Sequence, residues 1–203
     1  MKPSIWIFGY GSILWRPDFK FSRAVPAQLK GFQRRLWQGS TDHRGSTALP
    51  GAVATLRRDP GEITTGIAYS LEGAALKKAL KDLNHREKNG YEQQKVTITL
   101  DGQSGTSALT YIAPAENPWD LGGPSEFDIA ARVLHASGPS GSNLDYFLRL
   151  YAANLALSGP DAHLNMVYDL IEPDLSKPQR IWFEALHNDP TLLPCLSNRR
   201  LAP

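Results

Sequence analysis

At Glu72-Gly73 the hydrophobic pattern of this chain changes period, and a chain that switches period partway along must build a mixed fold. Upstream the pattern is that of strands. Ile5-Trp6-Ile7-Phe8 is a compact apolar run stopped by Gly9 and Gly11, as expected of a buried strand entering a turn. Residues 27–38 mix β-formers with basic side chains, and a polar loop, STDHRGSTALPG, comes next. Residues 52–56 and 63–71 read as two strands, with DPGE (residues 59–62) between them as a turn carrying Pro second and Gly third. Downstream, Leu76, Ala79, Leu80 and Leu83 recur at three- and four-residue spacing, which predicts an amphipathic helix over about 74–86. Residues 96–100 and 108–112 then form a hairpin around DGQSG (residues 101–105).

Beyond Pro124 the pattern predicts helices over about 127–136 and 144–157 and a third short one from Asp161. SGPSGSN lies between the first two, and Ser142 or Asn143 is placed to cap the second. Pro173 and Pro178 punctuate the chain past the third helix, and the tail reads as a strand and irregular chain. The sum is a single α+β domain over residues 1–203.

Composition narrows the functional classes. The net charge is +2, with no basic stripe, so nucleic acid is not an expected partner. The one local cluster, Arg34-Arg35, reads as solvated. Cys195 is the only cysteine, which excludes an intrachain disulfide, and it reads as a buried or incidental thiol. The apolar run at residues 5–8 is too short for a secretory h-region, and no stretch is long enough to cross a bilayer. A cytoplasmic protein without a membrane partner is expected.

Three features can carry chemistry. Extending the stripe of Leu76, Leu80 and Leu83 by four residues lands on Glu87, so this carboxylate belongs at the edge of the core or the mouth of a pocket. Burial there raises a carboxyl pKa, as a general acid/base requires; an ion pair with Arg86 or Lys88 satisfies the same spacing. FGYGSILW (residues 8–15) runs a strand into a glycine turn able to expose consecutive backbone N–H groups to an anion, or simply to end the strand. It fails as GxGxxG, because position 14 is Leu, and as GxSxG around Ser12. GSTDHRG (residues 39–45) sets Asp42 beside His43 and Arg44, a group suited to a carboxylate or to a turn held by side-chain hydrogen bonds. The five histidines are scattered without ligand spacing, so no metal site is expected, and His163 reads as a surface or capping residue.

Taken in order, FGYGSILW, RRLWQGSTDHRG, HREKNGYE and TYIA…NPW resemble the ChaC-like γ-glutamylcyclotransferase family. The similarity runs over residues 6–121 and continues more weakly through 129–150 and 161–170. The family loop usually reads YGSLIW; here Ile13-Leu14 reverses the two aliphatics, a swap that conserves volume. The resemblance implies a small β-barrel-like core with flanking helices, no metal or organic cofactor, and a pocket where the YGS loop meets the glutamate of REKxGYE. It implies that Tyr10, Gly11, Ser12 and Ile13, with Gly9 and Leu14 beside them, cradle a γ-glutamyl group while Glu87 carries the proton. Tyr91 and Tyr111 fit either the pocket or strand packing. The family's usual substrate is glutathione, released as 5-oxoproline and cysteinylglycine. Other γ-glutamyl compounds, or a non-catalytic regulator linked to cation transport, are the alternatives. The oligomeric state is left open.

Overall fold

The computed structural model describes residues 5–86, 89–158 and 161–197. Five strands carry the core: β1 (Ile5–Gly9), β2 (Arg23–Ser40), β3 (Gly51–Leu71), β4 (Glu92–Leu100) and β5 (Gln103–Ile112). They close into a ring in the order β1-β3-β2-β4-β5. Every pairing is antiparallel except β1 with β5, which is parallel. Two seams are short: Trp6 and Ile7 face Ala108 and Leu109, and Ala27 and Gln28 face Leu100 and Thr99. The core is therefore barrel-like, laced strongly along β2–β3 and β4–β5 and lightly elsewhere.

The DPGE segment corrects the sequence reading. It does not reverse the chain between two strands, because residues on both sides of it pair with β2 in one antiparallel sense. Lys30 faces Ile63 and Phe32 faces Arg58, so residues 59–62 bulge out opposite Gly31. Asp59 Oδ1 accepts the Gly61 N–H at 3.1 Å, so the local turn chemistry is present inside one continuous strand. A second irregularity in β2 lies between Arg35 and Gln38, where Leu36 and Trp37 oppose Ala54 alone. The β4–β5 hairpin is tighter than expected: Asp101 and Gly102 take positive φ (49° and 79°), as a two-residue primed turn demands, and pairing resumes at Gln103.

Helices flank the ring: α1 (Gly73–Arg86), α2 (Glu126–His135), α3 (Asn143–Ser158), α4 (Ala162–Ile171), α5 (Lys177–His187) and the short α6 (Pro194–Ser197). Along α1 the expected stripe is present, with Ala79 and Leu83 buried. Ser142 Oγ caps α3 by accepting the Asp145 N–H, and Asp161 caps α4 through Leu164. The residues before α3 form a two-residue hairpin, Ser137–Gly138 with Gly141–Ser142. The tail is helical rather than a strand. Ser176 and Gln179 make a capping box and Pro178 occupies the first turn of α5, where its missing N–H costs nothing.

Two polar residues are more buried than their sequence context suggested. Arg34 is 2% exposed rather than solvated; it donates to Asn154 Oδ1 (2.7 Å), Thr65 O (2.6 Å) and Asp161 Oδ2 (3.2 Å), pinning β2 to α3 and the start of α4. His163 is 1% exposed rather than on the surface. Its Nε2 accepts the N–H of Leu36 at 3.1 Å, which satisfies a backbone donor freed by the second β2 irregularity. Cys195 is a buried thiol.

Candidate active site

The end of β1 sets the site. After Gly9 the chain leaves the sheet through Tyr10 and Gly11 and enters a 3-10 turn, Ser12–Leu14, whose first hydrogen bond runs from Leu14 N to Gly11 O at 2.9 Å. The N–H groups of Ser12 and Ile13 precede that bond, so the helix itself cannot use them. Gly9 is required by packing: a Cβ there would stand 2.7 Å from Ile13 Cγ2. From below, the buried Tyr69 hydroxyl donates to Ile13 O (2.8 Å) and lies 3.2 Å from Leu14 O. Burial pushes the Tyr69 phenol far above its ordinary value, so it remains a donor at every physiological pH.

Phe8, Gly9, Tyr10, Gly11, Ser12 and Ile13 form one wall of a narrow recess of about 40 Å³. The opposite wall is Ala54, Tyr91, Thr110, Tyr111 and Tyr146. Thus five of the six residues expected to cradle a substrate meet in one place. Leu14 does not reach the recess; it is fully buried in the core beneath the turn. Three of the recess tyrosines bond backbone through their hydroxyls. Tyr10 donates to Tyr111 O at 2.6 Å, Tyr91 donates to Ala54 O at 2.6 Å, and Tyr146 accepts from Ala54 N at 3.0 Å. Ala54 faces the second β2 irregularity, and this frees both its backbone groups for side chains. The Tyr111 hydroxyl instead donates to a side chain, Asn84 Oδ1 of α1, at 2.5 Å.

Beside the recess, and sharing Ser12, Tyr91 and Tyr146 with it, lies a cavity of about 360 Å³. Its rim is charged: Arg16, Asp18, Asp42, Arg44 and Arg86 line it together with His43 and His85. Arg86 joins the two walls of the site. Its guanidinium bonds to the Ser12 hydroxyl, to Arg16 O (3.0 Å) and to Asp18 (3.2 Å), tying the end of α1 to the turn. Arg44, suited by type to a substrate carboxylate, is instead committed to Asp145 (2.7 Å) and Ser142 O (3.1 Å). His43 bonds Ser140 Oγ at 2.9 Å through Nδ1.

Glu87 lies outside the described residues; its described neighbours Arg86 and Asn89 both line the larger cavity. The structure puts Tyr91 and Tyr111 on the recess wall. Tyr146 was missed by sequence reasoning, because an aromatic on a helical stripe reads as core. Its only sequence signal is a hydroxyl, which a purely apolar site would not need.

The sequence model of the ChaC-like protein family matches residues 5–173. The chain belongs to this family. It is 43% identical over 175 residues to glutathione-specific γ-glutamylcyclotransferase 1 of Homo sapiens, covering 83% of this chain and 78% of that protein. It is 32% identical over 197 residues to the glutathione-specific γ-glutamylcyclotransferase of Saccharomyces cerevisiae, covering 73% of this chain and 84% of that protein. The fold superposes on the crystal structure of a γ-glutamyl cyclotransferase specific to glutathione from yeast with a TM-score of 0.77. That alignment has 26% identity and covers 85% of this chain and 99% of the other.

Proposed function

We propose that this chain is a glutathione-specific γ-glutamylcyclotransferase, in which Glu87 moves protons and the turn from Gly9 to Leu14 holds the γ-glutamyl group. The observation that carries the reading is the recess itself, built by that turn in a chain 43% identical to the human enzyme. The substrate brings its own nucleophile. Its α-amino nitrogen attacks the γ-amide carbon, a five-membered ring closes, and cysteinylglycine leaves as the amine. No electrons are transferred and no external group is carried, so the reaction calls for neither a redox nor a group-carrying cofactor.

Three tasks remain for the protein. The glutamyl chain must be folded until amine and carbon lie about 3–3.5 Å apart, which the narrow recess and its mouth favour by confinement. The α-ammonium must lose a proton and the departing nitrogen must gain one. A carboxylate between the two nitrogens does both in turn, and this is the role of Glu87. The tetrahedral oxyanion needs donors, which the Ser12 and Ile13 N–H groups supply in this reading. We assign the reaction to the cytoplasm, where glutathione is kept largely as the free thiol. Incubation with glutathione tests the proposal: 5-oxoproline and cysteinylglycine should appear in equal amounts. Release of 5-oxoproline from γ-glutamyl dipeptides or γ-glutamylamines but not from glutathione would overturn the substrate assignment.

A further inference from the structure

Cyclisation of glutathione leaves one charged group far from the ring: the glycine carboxylate of the departing dipeptide. A site that selects glutathione over other γ-glutamyl amides gains from reading that charge. Resting on the cyclotransferase reading above, we propose that Arg16 is the group that does so, binding the terminal carboxylate through the free end of its guanidinium.

Arg16 stands at the rim of the larger cavity, one turn past Ser12, whose carbonyl accepts the Arg16 N–H at 2.9 Å. One turn of helix is about 5.4 Å. Two residues, the length of cysteinylglycine, extend at most about 7 Å. With the glutamyl group against the turn, the terminal carboxylate falls within reach of the Arg16 side chain.

Arg16 is also held for the task. Its backbone is fixed at both ends, by Ser12 and by Arg86, which donates to its carbonyl at 3.0 Å. Its Nε is 2.8 Å from Asp18 Oδ2. Asp18 takes φ of 55°, a left-handed conformation that Asp tolerates better than most residues with a Cβ, and Arg86 binds the same oxygen at 3.2 Å. The Asp18 contact thus orients the guanidinium while leaving its terminal nitrogens without a hydrogen-bond partner among the described residues. The other arginines of the cavity are engaged there. Arg86 uses Nη1 on Arg16 O and Asp18 and Nη2 on Ser12; Arg44 uses Nη1 on Asp145 and Ser142 O. A planar guanidinium with an open edge matches a carboxylate in two parallel hydrogen bonds.

The test compares glutathione with its C-terminal amide, in which the carboxylate is replaced by an uncharged carboxamide. Steady-state release of 5-oxoproline by the wild-type protein should favour glutathione about ten-fold in kcat/KM, the difference lying in KM, as expected for one charge-assisted contact at a partly exposed group. Raising the ionic strength should shrink the gap. In Arg16→Gln the two substrates should converge, whereas Arg16→Lys should keep part of the preference. Equal turnover of acid and amide by the wild type, or a gap that survives in Arg16→Gln, overturns the assignment and leaves the cyclotransferase reading standing. If Arg16→Gln fails to fold, the wild-type substrate pair and its salt dependence still decide. Absence of 5-oxoproline from both substrates would sink the enzymatic reading, and this one with it.

Discussion

The hydroxyl of Tyr146 accepts a hydrogen bond from the N–H of Ala54 at 3.0 Å, so a helix that begins past residue 140 is tied to the barrel at the wall of the recess. The second β2 irregularity makes this bond necessary, since it denies that N–H a partner in the strand opposite. Tyr146→Phe keeps the ring and strands the donor. We expect a loss of about 1–3 kcal/mol in stability, the cost of an unsatisfied buried group, together with reduced turnover. Urea unfolding alongside 5-oxoproline kinetics checks both, and an unchanged unfolding midpoint would contradict the account.

Tyr69 holds the carbonyls of Ile13 and Leu14 from beneath. Tyr69→Phe should cost about 1–3 kcal/mol and loosen the turn, so that KM for glutathione rises. Because its phenol is pushed up by burial, no alkaline transition in activity should trace to this residue. A pH profile of the variant that lost a basic limb present in the wild type would argue otherwise.

His163 makes the fold acid-sensitive. Burial, reinforced by the nearby positive charge of Arg35, holds its pKa below the ordinary value of 6.5. Its Nε2 accepts from Leu36 N, which requires the neutral ring, and Nδ1 lies 3.4 Å from a Glu126 oxygen. A folded-state pKa below the unfolded one means that the unfolded chain binds the proton first. The stability from the neutral ring is therefore complete above about pH 6.5 and is lost as pH falls toward the lower folded value. Thermal melts between about pH 7.5 and 5 should show this loss. In His163→Gln, where an amide oxygen accepts the same N–H without titrating, the slope should flatten.

Glu87→Gln preserves shape and removes the base that the proposed mechanism requires. Turnover of glutathione should fall about 10²–10⁴-fold if proton transfer alone is affected, while binding measured by calorimetry is largely retained. Full activity in this variant would remove Glu87 from the mechanism.

The residues that were legible in the sequence share a property: their surroundings are local. Gly9 and Gly11 punctuate their own strand, and the spacing of Leu76, Leu80 and Leu83 describes its own helix. What escaped depended on distant partners. DPGE has the same turn chemistry in a hairpin as in a bulge, and only the pairing of both flanks with β2 decides between them. Arg34 shares the strand parity of Phe32 and Leu36, yet its burial rests on Asn154 and Asp161, more than a hundred residues away. Pro178 is the exception: it marks a break or a helix start with equal ease, and the local capping box of Ser176 and Gln179 settles it. Tyr146 joined the recess because Ala54, 92 residues earlier in the chain, needed a partner.

The short parallel seam between β1 and β5 has a kinetic consequence. Thr110 Oγ1 donates to Phe8 O across 102 residues of chain, and Trp6 and Ile7 find Ala108 and Leu109 at similar separation. During synthesis the first strand must wait for β3 and then for β5 before its edges are covered, and until then it exposes an apolar ribbon with unpaired amides. Folding that depends on contacts so distant in sequence is slow, in the millisecond-to-second range of strand-dominated domains. The recess, whose wall facing the turn includes Thr110 and Tyr111 of β5, is thus among the last features to form, and a nascent chain halted before residue 103 would have the turn after β1 but only part of the wall it faces.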